Sequence, residues 1–499
     1  MKKYILLIAA SLCLMVITSC GRNIVYPTEI STNPKNFNDV LDLARTRREN
    51  IIRPNYYQLT QLTTGRIPIS TELYNRMFDS NMRTSVISAA EAIYDINIFF
   101  SVLSGSYGPY IYFGGDEHFL PIRDNIIETL HTQNIWDIED IAHILHNKMS
   151  QIVNDGHFDI KGTWLRANYR FFSYSGQFDK CSDGFRNRLN GLYVKRLVLL
   201  CYPGLYLNLE DSFKLSMDES ASSFFYSIVI PLRVQDMESL PYRLTVFYEN
   251  ELSETIYLEM KSEIWPDAAE DTSLSFVDGF PIISVQEMGH PDSDEPDGYS
   301  ARRFLTYAEY VRDEPVLILD LRNNMGGNTL LPIQWLYILT GEHIPRNHFV
   351  LDAVNYSLAI ERFGQKGTRD PLSRIAYFEP FDDYHIVHYS PEDRIVPNKQ
   401  LIVVLINRNT FSAAEGMVDL IFNIENTLVI GQNTGGGLLT ASGARRMMLP
   451  HSGIDFNFGT SILTHPEGHF REGVGLAPDI WVLGDALTAT LSMLNAYLF

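Results

Sequence analysis

Ser412 lies in the stretch "NTFSAAEG", residues 409–416, just after the apolar run "LIVVLI". Two chemistries are open to it. Ser412-Ala413-Ala414-Glu415 fits a capping box, in which the hydroxyl accepts from a free helix N–H and the glutamate reaches back to the serine N–H. The same place, a strand-to-helix junction, also suits a nucleophile, because free backbone N–H groups and the positive end of the helix dipole stabilise an alkoxide and then an acyl oxyanion. A serine is inert without a base, so a partner must come from elsewhere. Of the thirteen histidines, His157 stands out in "NDGHFDI", where Asn154-Asp155-Gly156 forms a turn that presents the ring at a fixed place. Glu472, in "FREGVGLAPDIWV", is a carboxylate able to orient an imidazole or steer a substrate, or else a surface residue of a glycine-rich loop. Gly326-Gly327, in "RNNMGGN", can offer backbone N–H groups unobstructed by side chains, or can simply make a turn.

These residues need a scaffold, and the hydrophobic pattern supplies one. From Ser273 onward the strands "FPIISVQEM", "PVLILDL", "QLIVVLINR" and "TLVIG" alternate with the helices "SARRFLTYAEYVRD", "LLPIQWLYILTG" and "SAAEGMVDLIFNI". Continuous apolar strands alternating with amphipathic helices predict an α/β domain whose sheet is covered on both faces. Ligand sites in such sheets lie beyond the carboxyl ends of the strands, where both "RNNMGGN" and "NTFSAAEG" fall. Upstream, residues 36–162 read as an N-terminal helical domain and 163–265 as a separate β-rich module. The core is expected at 270–499, broken by a long connection from Glu342 to Asn398.

The chain has 499 residues, is 45% hydrophobic and carries a formal charge of −20, the composition of a globular protein with several cores. The acidic balance, with no Lys/Arg cluster, excludes nucleic acid as a partner. Residues 1–19 read as an export signal: Lys2 and Lys3 precede a thirteen-residue apolar run, shorter than the roughly twenty that span a bilayer as a helix. The run ends in Ile17-Thr18-Ser19-Cys20, similar to a bacterial lipobox, so Cys20 is the expected lipidation site and new N-terminus, with 20–35 as a tether. The expected location is the bacterial cell envelope, with the membrane as a partner through the lipid. Removing two lysines takes the charge from −20 to −22. Cys181 and Cys201 then remain, either as one disulfide or as buried thiols, and suggest no metal site.

Taken together, these segments resemble the C-terminal processing peptidases, or tail-specific proteases, and especially their tricorn-core-like branch. The resemblance covers roughly 140–165 and 270–485 and is ordered: "NDGHF", "ILDLRNNMGGN", "LINRNTFSAAEG", "VIGQNTGGG", "LPHSG" and "REGVGLAPDIWV". It implies a ClpP/crotonase-like α/β core, no cofactor or metal, and a serine nucleophile cleaving peptide bonds in peptides or unfolded protein. Ser412 matches the nucleophile, and the N–H groups of Ala413 and of Gly326 or Gly327 match the oxyanion hole. Better-known members pair the serine with a lysine twenty-five residues on. Here that position is Gly437, and no lysine follows Lys399. The tricorn-like branch instead implies His157 as base and Glu472 as an accessory group. The β-rich module occupies the place of a PDZ-like domain but lacks a clear glycine-rich carboxylate loop, so a degenerate PDZ-like module and an unrelated one both stay open. Two other functions also stay open: a peptidase-like binding protein without turnover, and an acyl-group enzyme on the same scaffold.

Overall fold

The computed structural model describes residues 31–51, 77, 85–200, 205–221, 223–234, 242–260, 271–352, 354–355, 378–381, 384–387, 394–443 and 446–498. The expected export signal, Cys20 and Cys201 lie outside the described residues. Cys181 is buried and free. No helix among the described residues is long and apolar enough to cross a membrane.

Besides a single turn at Leu209–Ser212, the described helices are α1 (Phe37–Glu49), α2 (Ala89–Ser106), α3 (Gly115–Leu130), α4 (Ile138–Met149), α5 (Pro296–Val311), α6 (Leu330–Thr340), α7 (Ala413–Ile421) and α8 (Ala486–Leu498). The strands of the main sheet are β1 (Tyr169–Cys181), β2 (Phe213–Met217), β3 (Phe224–Arg233), β4 (Glu259–Met260), β5 (Ser273–Val277), β6 (Phe280–Ser284), β7 (Val316–Asp320), β8 (Leu401–Ile406), β9 (Thr427–Gly431) and β10 (Ile480–Val482). Their order is β4-β1-β3-β2-β10-β9-β8-β7-β6-β5, with Gly184–Asn187 paired to β1 as the eleventh strand. From β6 through β2 every neighbouring pair is parallel, and the strands beyond them are antiparallel.

Strands β7, β8 and β9 are buried at every position, as their unbroken apolar runs require of a sheet covered twice. Alternation along them feeds two cores. Leu319, Val404, Ile406 and Val429 pack with Phe304, Trp335, Met417 and Val418 of α5, α6 and α7. Ile318, Val403, Leu405, Leu428 and Ile430 face Phe37, Val40, Ala489 and Met493 of α1 and α8. The mixed α/β class expected from the sequence is therefore the observed one.

Two segments pack differently from the reading by composition. Helix α1 does not join the other N-terminal helices but closes a face of the main sheet, where the buried Arg48 guanidinium bonds Asp479 at 2.6 Å. The β-rich stretch divides between two sheets. Its strands at 194–199, 205–207, 243–248 and 253–257 form a sheet of their own, whereas β1, β2 and β3 extend the main sheet through the parallel contact of β2 with β10. Helices α2–α4 share a core with Ile160 and Phe456 of a small four-stranded sheet and with Phe158 and Phe458 beside its strands. That layer carries His157 to the carboxyl ends of the main-sheet strands.

Candidate active site

The loops after β7 and β8 are bound to each other. Leu321 donates its N–H to the Leu405 carbonyl at 3.0 Å, the Thr410 hydroxyl bonds the Leu321 carbonyl at 2.8 Å, and the Phe411 N–H bonds the Asn324 carbonyl at 2.9 Å. Parallel strands with adjacent ends make this contact available, and its polar partners keep both loops from fraying into solvent.

Ser412 sits where the second loop turns into α7, with φ +53° and ψ −119°. A non-glycine residue held there costs on the order of 1–3 kcal/mol, and the surrounding bonds must enforce it. Glu415 is the chief enforcer. Its Oε2 accepts from the N–H groups of Ser412 (3.0 Å) and Gly437 (2.7 Å), and its Oε1 from the Thr434 hydroxyl (2.6 Å) and the Gly436 N–H (2.7 Å). Burial pushes the Glu415 pKa up and these four donors pull it back. The outline of the capping box is thus present, yet the Ser412 hydroxyl makes no cap hydrogen bond. It is directed instead to His157, whose Nε2 lies 2.9 Å from Ser412 Oγ.

His157 is held by its backbone. Asp155, fully buried, accepts the His157 N–H at 2.8 Å and the Thr440 hydroxyl at 2.9 Å on Oδ1, and the Tyr107 hydroxyl at 2.9 Å on Oδ2. The imidazole packs against Phe411, with ring centroids 5.5 Å apart. Burial lowers the His157 pKa, the Asp155 carboxylate opposes the shift, and the Arg166 guanidinium adds to it. The ring is therefore neutral at physiological pH, the state a general base requires.

Glu472 is brought to the same place but not to the imidazole. Its Oε1 accepts the Gly156 N–H at 2.7 Å and its Oε2 the Leu439 N–H at 2.9 Å. Burial and the nearby Asp155 push its pKa well up, against the two backbone donors. His157 Nδ1 has no hydrogen-bond partner among the described residues. The carboxylates thus brace the 154–157 turn, and no described carboxylate forms a relay through the ring.

The two glycines differ. Gly326, at φ +97°, donates its N–H to Asn324 Oδ1 at 2.9 Å, and a Cβ there would stand 2.8 Å from the Ala413 nitrogen. Gly327 pairs with Met288 through its neighbours, the Gly326 carbonyl and the Asn328 N–H, so its own N–H is directed away from Met288. The N–H groups of Gly327 and Ala413 donate no hydrogen bond among the described residues. Gly437, where other family members are expected to carry lysine, has no room for a side chain: a Cβ would lie 2.1 Å from Phe411 Cζ.

Sequence reasoning singled out Ser412, His157, Glu472 and both glycines, which the structure brings close together, but not the bracing roles of Asp155, Glu415 and Phe411. For two of them a signal existed. Asp155 is in "NDGH" and Glu415 in the capping box, each read there for its local role.

Residues 282–482 match the model of Peptidase family S41. The chain carries an S41 peptidase domain. The match spans β6 to β10, hence both loops of the site and Glu472, while His157 comes from outside it. No curated protein matches the chain. Among solved structures, the chain is similar to mature CPAF in complex with lactacystin (15% identity, 82% of this chain and 99% of that one, TM-score 0.43). It is also similar to a lipoprotein from Streptococcus agalactiae (14%, 84% and 99%, 0.37) and to the photosystem II D1 C-terminal processing protease (12%, 81% and 97%, 0.36). The S41 domain is that of a serine peptidase.

Proposed function

We propose that this chain is an endopeptidase of the bacterial cell envelope, anchored by lipid on Cys20, that cleaves peptides or unfolded protein segments with Ser412 as nucleophile and His157 as base. The observation that carries the catalytic assignment is the 2.9 Å contact between His157 Nε2 and Ser412 Oγ. His157 Nε2 takes the hydroxyl proton as Oγ attacks the scissile carbonyl. The developing oxyanion is received by the N–H groups of Ala413 and Gly327, and Gly326 shapes the turn rather than donating. His157 then returns the proton to the leaving amine, and a water activated by the same nitrogen releases the acyl group. Glu472 and Asp155 act as positioning residues by fixing the backbone around Gly156 and His157. The absence of space at Gly437 supports a histidine base over a lysine.

The lipobox motif supports the anchor, and incorporation of labelled lipid that is lost in Cys20→Ala tests it. For catalysis, the mature protein is expected to be labelled by a fluorophosphonate probe at Ser412 and to digest casein. Ser412→Ala is expected to abolish both, a loss of at least about 10⁴-fold in kcat. A folded wild-type protein that is neither labelled nor proteolytic would sink the assignment and leave a peptide-binding protein on a peptidase scaffold.

A further inference from the structure

At the other end of α7 a second polar cluster is buried, built from segments far apart in sequence. His348 Nδ1 lies 2.8 Å from Asp419 Oδ2, His469 Nε2 lies 2.6 Å from Asp419 Oδ1, and Asn347 Nδ2 donates to the Asp419 carbonyl at 2.9 Å. His465 Nε2 lies 2.9 Å from the Leu438 carbonyl. Carboxylate and carbonyl oxygens only accept, so these ring nitrogens carry the hydrogens, and the second nitrogen of each neutral ring presents a lone pair. His348 Nε2 and His465 Nδ1 are both buried, and neither has a hydrogen-bond partner among the described residues. The two ring centroids are 4.9 Å apart, and the His348 side chain is only 4% exposed.

Two lone pairs cannot satisfy each other, and a buried acceptor left unmade is costly. The arrangement needs an electron-pair acceptor between the rings. One donor atom from each of His348, Asp419 and His465 lies within 4.8 Å of the others. Two imidazoles on one tetrahedral zinc ion, with bonds of about 2.0–2.1 Å, have ring centroids roughly 5 Å apart, the spacing found here, whereas Asp419 lies on the Nδ1 side of His348 and orients the ring. Imidazoles whose other N–H is given to a carboxylate or a backbone carbonyl are also the arrangement that fixes tautomers around bound metals.

We propose that His348 Nε2 and His465 Nδ1 bind one divalent transition-metal ion of the zinc type, with solvent in the remaining positions and Asp419 orienting the His348 ring. Two imidazole nitrogens suit such an ion better than magnesium or calcium, which favour oxygen ligands. The ion ties the segment at 347–348 and the loop at 465–469 to α7. Through Leu438 it also abuts Leu439, whose N–H is held by Glu472. Asp419 is seven residues beyond Ser412, about 10 Å along the helix at 1.5 Å per residue, so the ion braces the helix and takes no part in peptide cleavage.

The test uses the mature protein, stripped with a chelator and titrated with Co²⁺ followed by Zn²⁺. Expected are one equivalent of Co²⁺ per chain, visible d–d bands of a tetrahedral centre displaced by Zn²⁺, and a thermal midpoint that rises with zinc. His348→Gln and His465→Gln are each expected to weaken Co²⁺ binding by at least about 10-fold, while Ser412→Ala keeps the bands in full. If wild type develops no bands and no stabilisation, the rings are bridged by water or by a shared proton, and the proposal falls. It falls equally if bands persist unchanged in both glutamine variants, which would place the ion elsewhere. Should either variant fail to fold, the wild-type spectrum and stoichiometry alone decide.

Discussion

The two ends of α7 bury polar groups in opposite styles. At the start, Ser412 is held in a strained conformation, the N–H groups of Ala413 and Gly327 are unspent, and the hydroxyl is turned from its capping role toward His157. Near the end, Asp419 is fully buried and accepts from both His348 and His469. Burial alone would raise the Asp419 pKa, but those bonds hold it well below the ordinary carboxylate range. The first end stores unsatisfied donors for a group that arrives during a reaction, and the second consumes its donors in the folded protein. Under the proposed function, one helix therefore serves turnover at its start and stability farther along.

Breaking each end should separate these roles. His157→Ala is expected to lower kcat/KM on casein by about 10⁴-fold with a small change in melting temperature, because the ring contributes chemistry more than packing. Comparable losses of activity and stability would show that His157 is structural. Next in size, Asp419→Ala strands the histidine donors and should destabilise the protein by about 3–5 kcal/mol in chemical denaturation, while the folded fraction still takes up the fluorophosphonate probe. Folded but unlabelled protein would mean that the far end also governs the nucleophile. Asp419 has a second signature. Its lowered pKa means that its contribution is present above the unfolded value near 3.8 and is lost as pH falls through the folded value.

Gly437→Ala sharpens the comparison at the first end. A Cβ 2.1 Å from Phe411 must displace that ring, at about 1–3 kcal/mol, and the displaced ring lies beside both Ser412 and His157. Activity should fall more than stability, and an unchanged kcat would show that Phe411 does not position the pair. The smallest effect concerns pH. His157 must be neutral to act as base, and burial together with Arg166 lowers its pKa. The acid limb of kcat/KM should therefore lie below about pH 6.5. Arg166→Gln removes a cation facing the ring and should move that limb upward, and a downward shift would contradict the electrostatic account.

Much of the site was legible because its pieces are local. "NDGHF", "NNMGG" and "NTFSAAEG" each encode a turn or helix start whose geometry follows from a few neighbouring residues, and the apolar runs before two of them place those loops at strand ends. Glu472, expected to orient a neighbour of the proposed pair, bonds the Gly156 backbone and not the imidazole. Pattern alone cannot choose between those outcomes, since both need a carboxylate at the same place. The choice between Gly326 and Gly327 likewise turned on Asn324, whose side chain accepts from one N–H and not the other. The His348, Asp419, His465 and His469 cluster left no sequence signal, because its members are separated by up to 121 positions and follow no ligand spacing.

By itself, then, the sequence determined the alternation of buried strands and helices and the strand-end loops, and it singled out Ser412, His157 and Glu472 as candidates, because periodicity, glycine and capping chemistry act over a few residues. Only the tertiary structure decided that α1 seals the main sheet, that β1, β2 and β3 extend it, and that the Ser412 hydroxyl meets an imidazole 255 residues away. Those outcomes depend on which surfaces pack together and which buried donors find acceptors. They belong to the whole chain at once and to no segment of it.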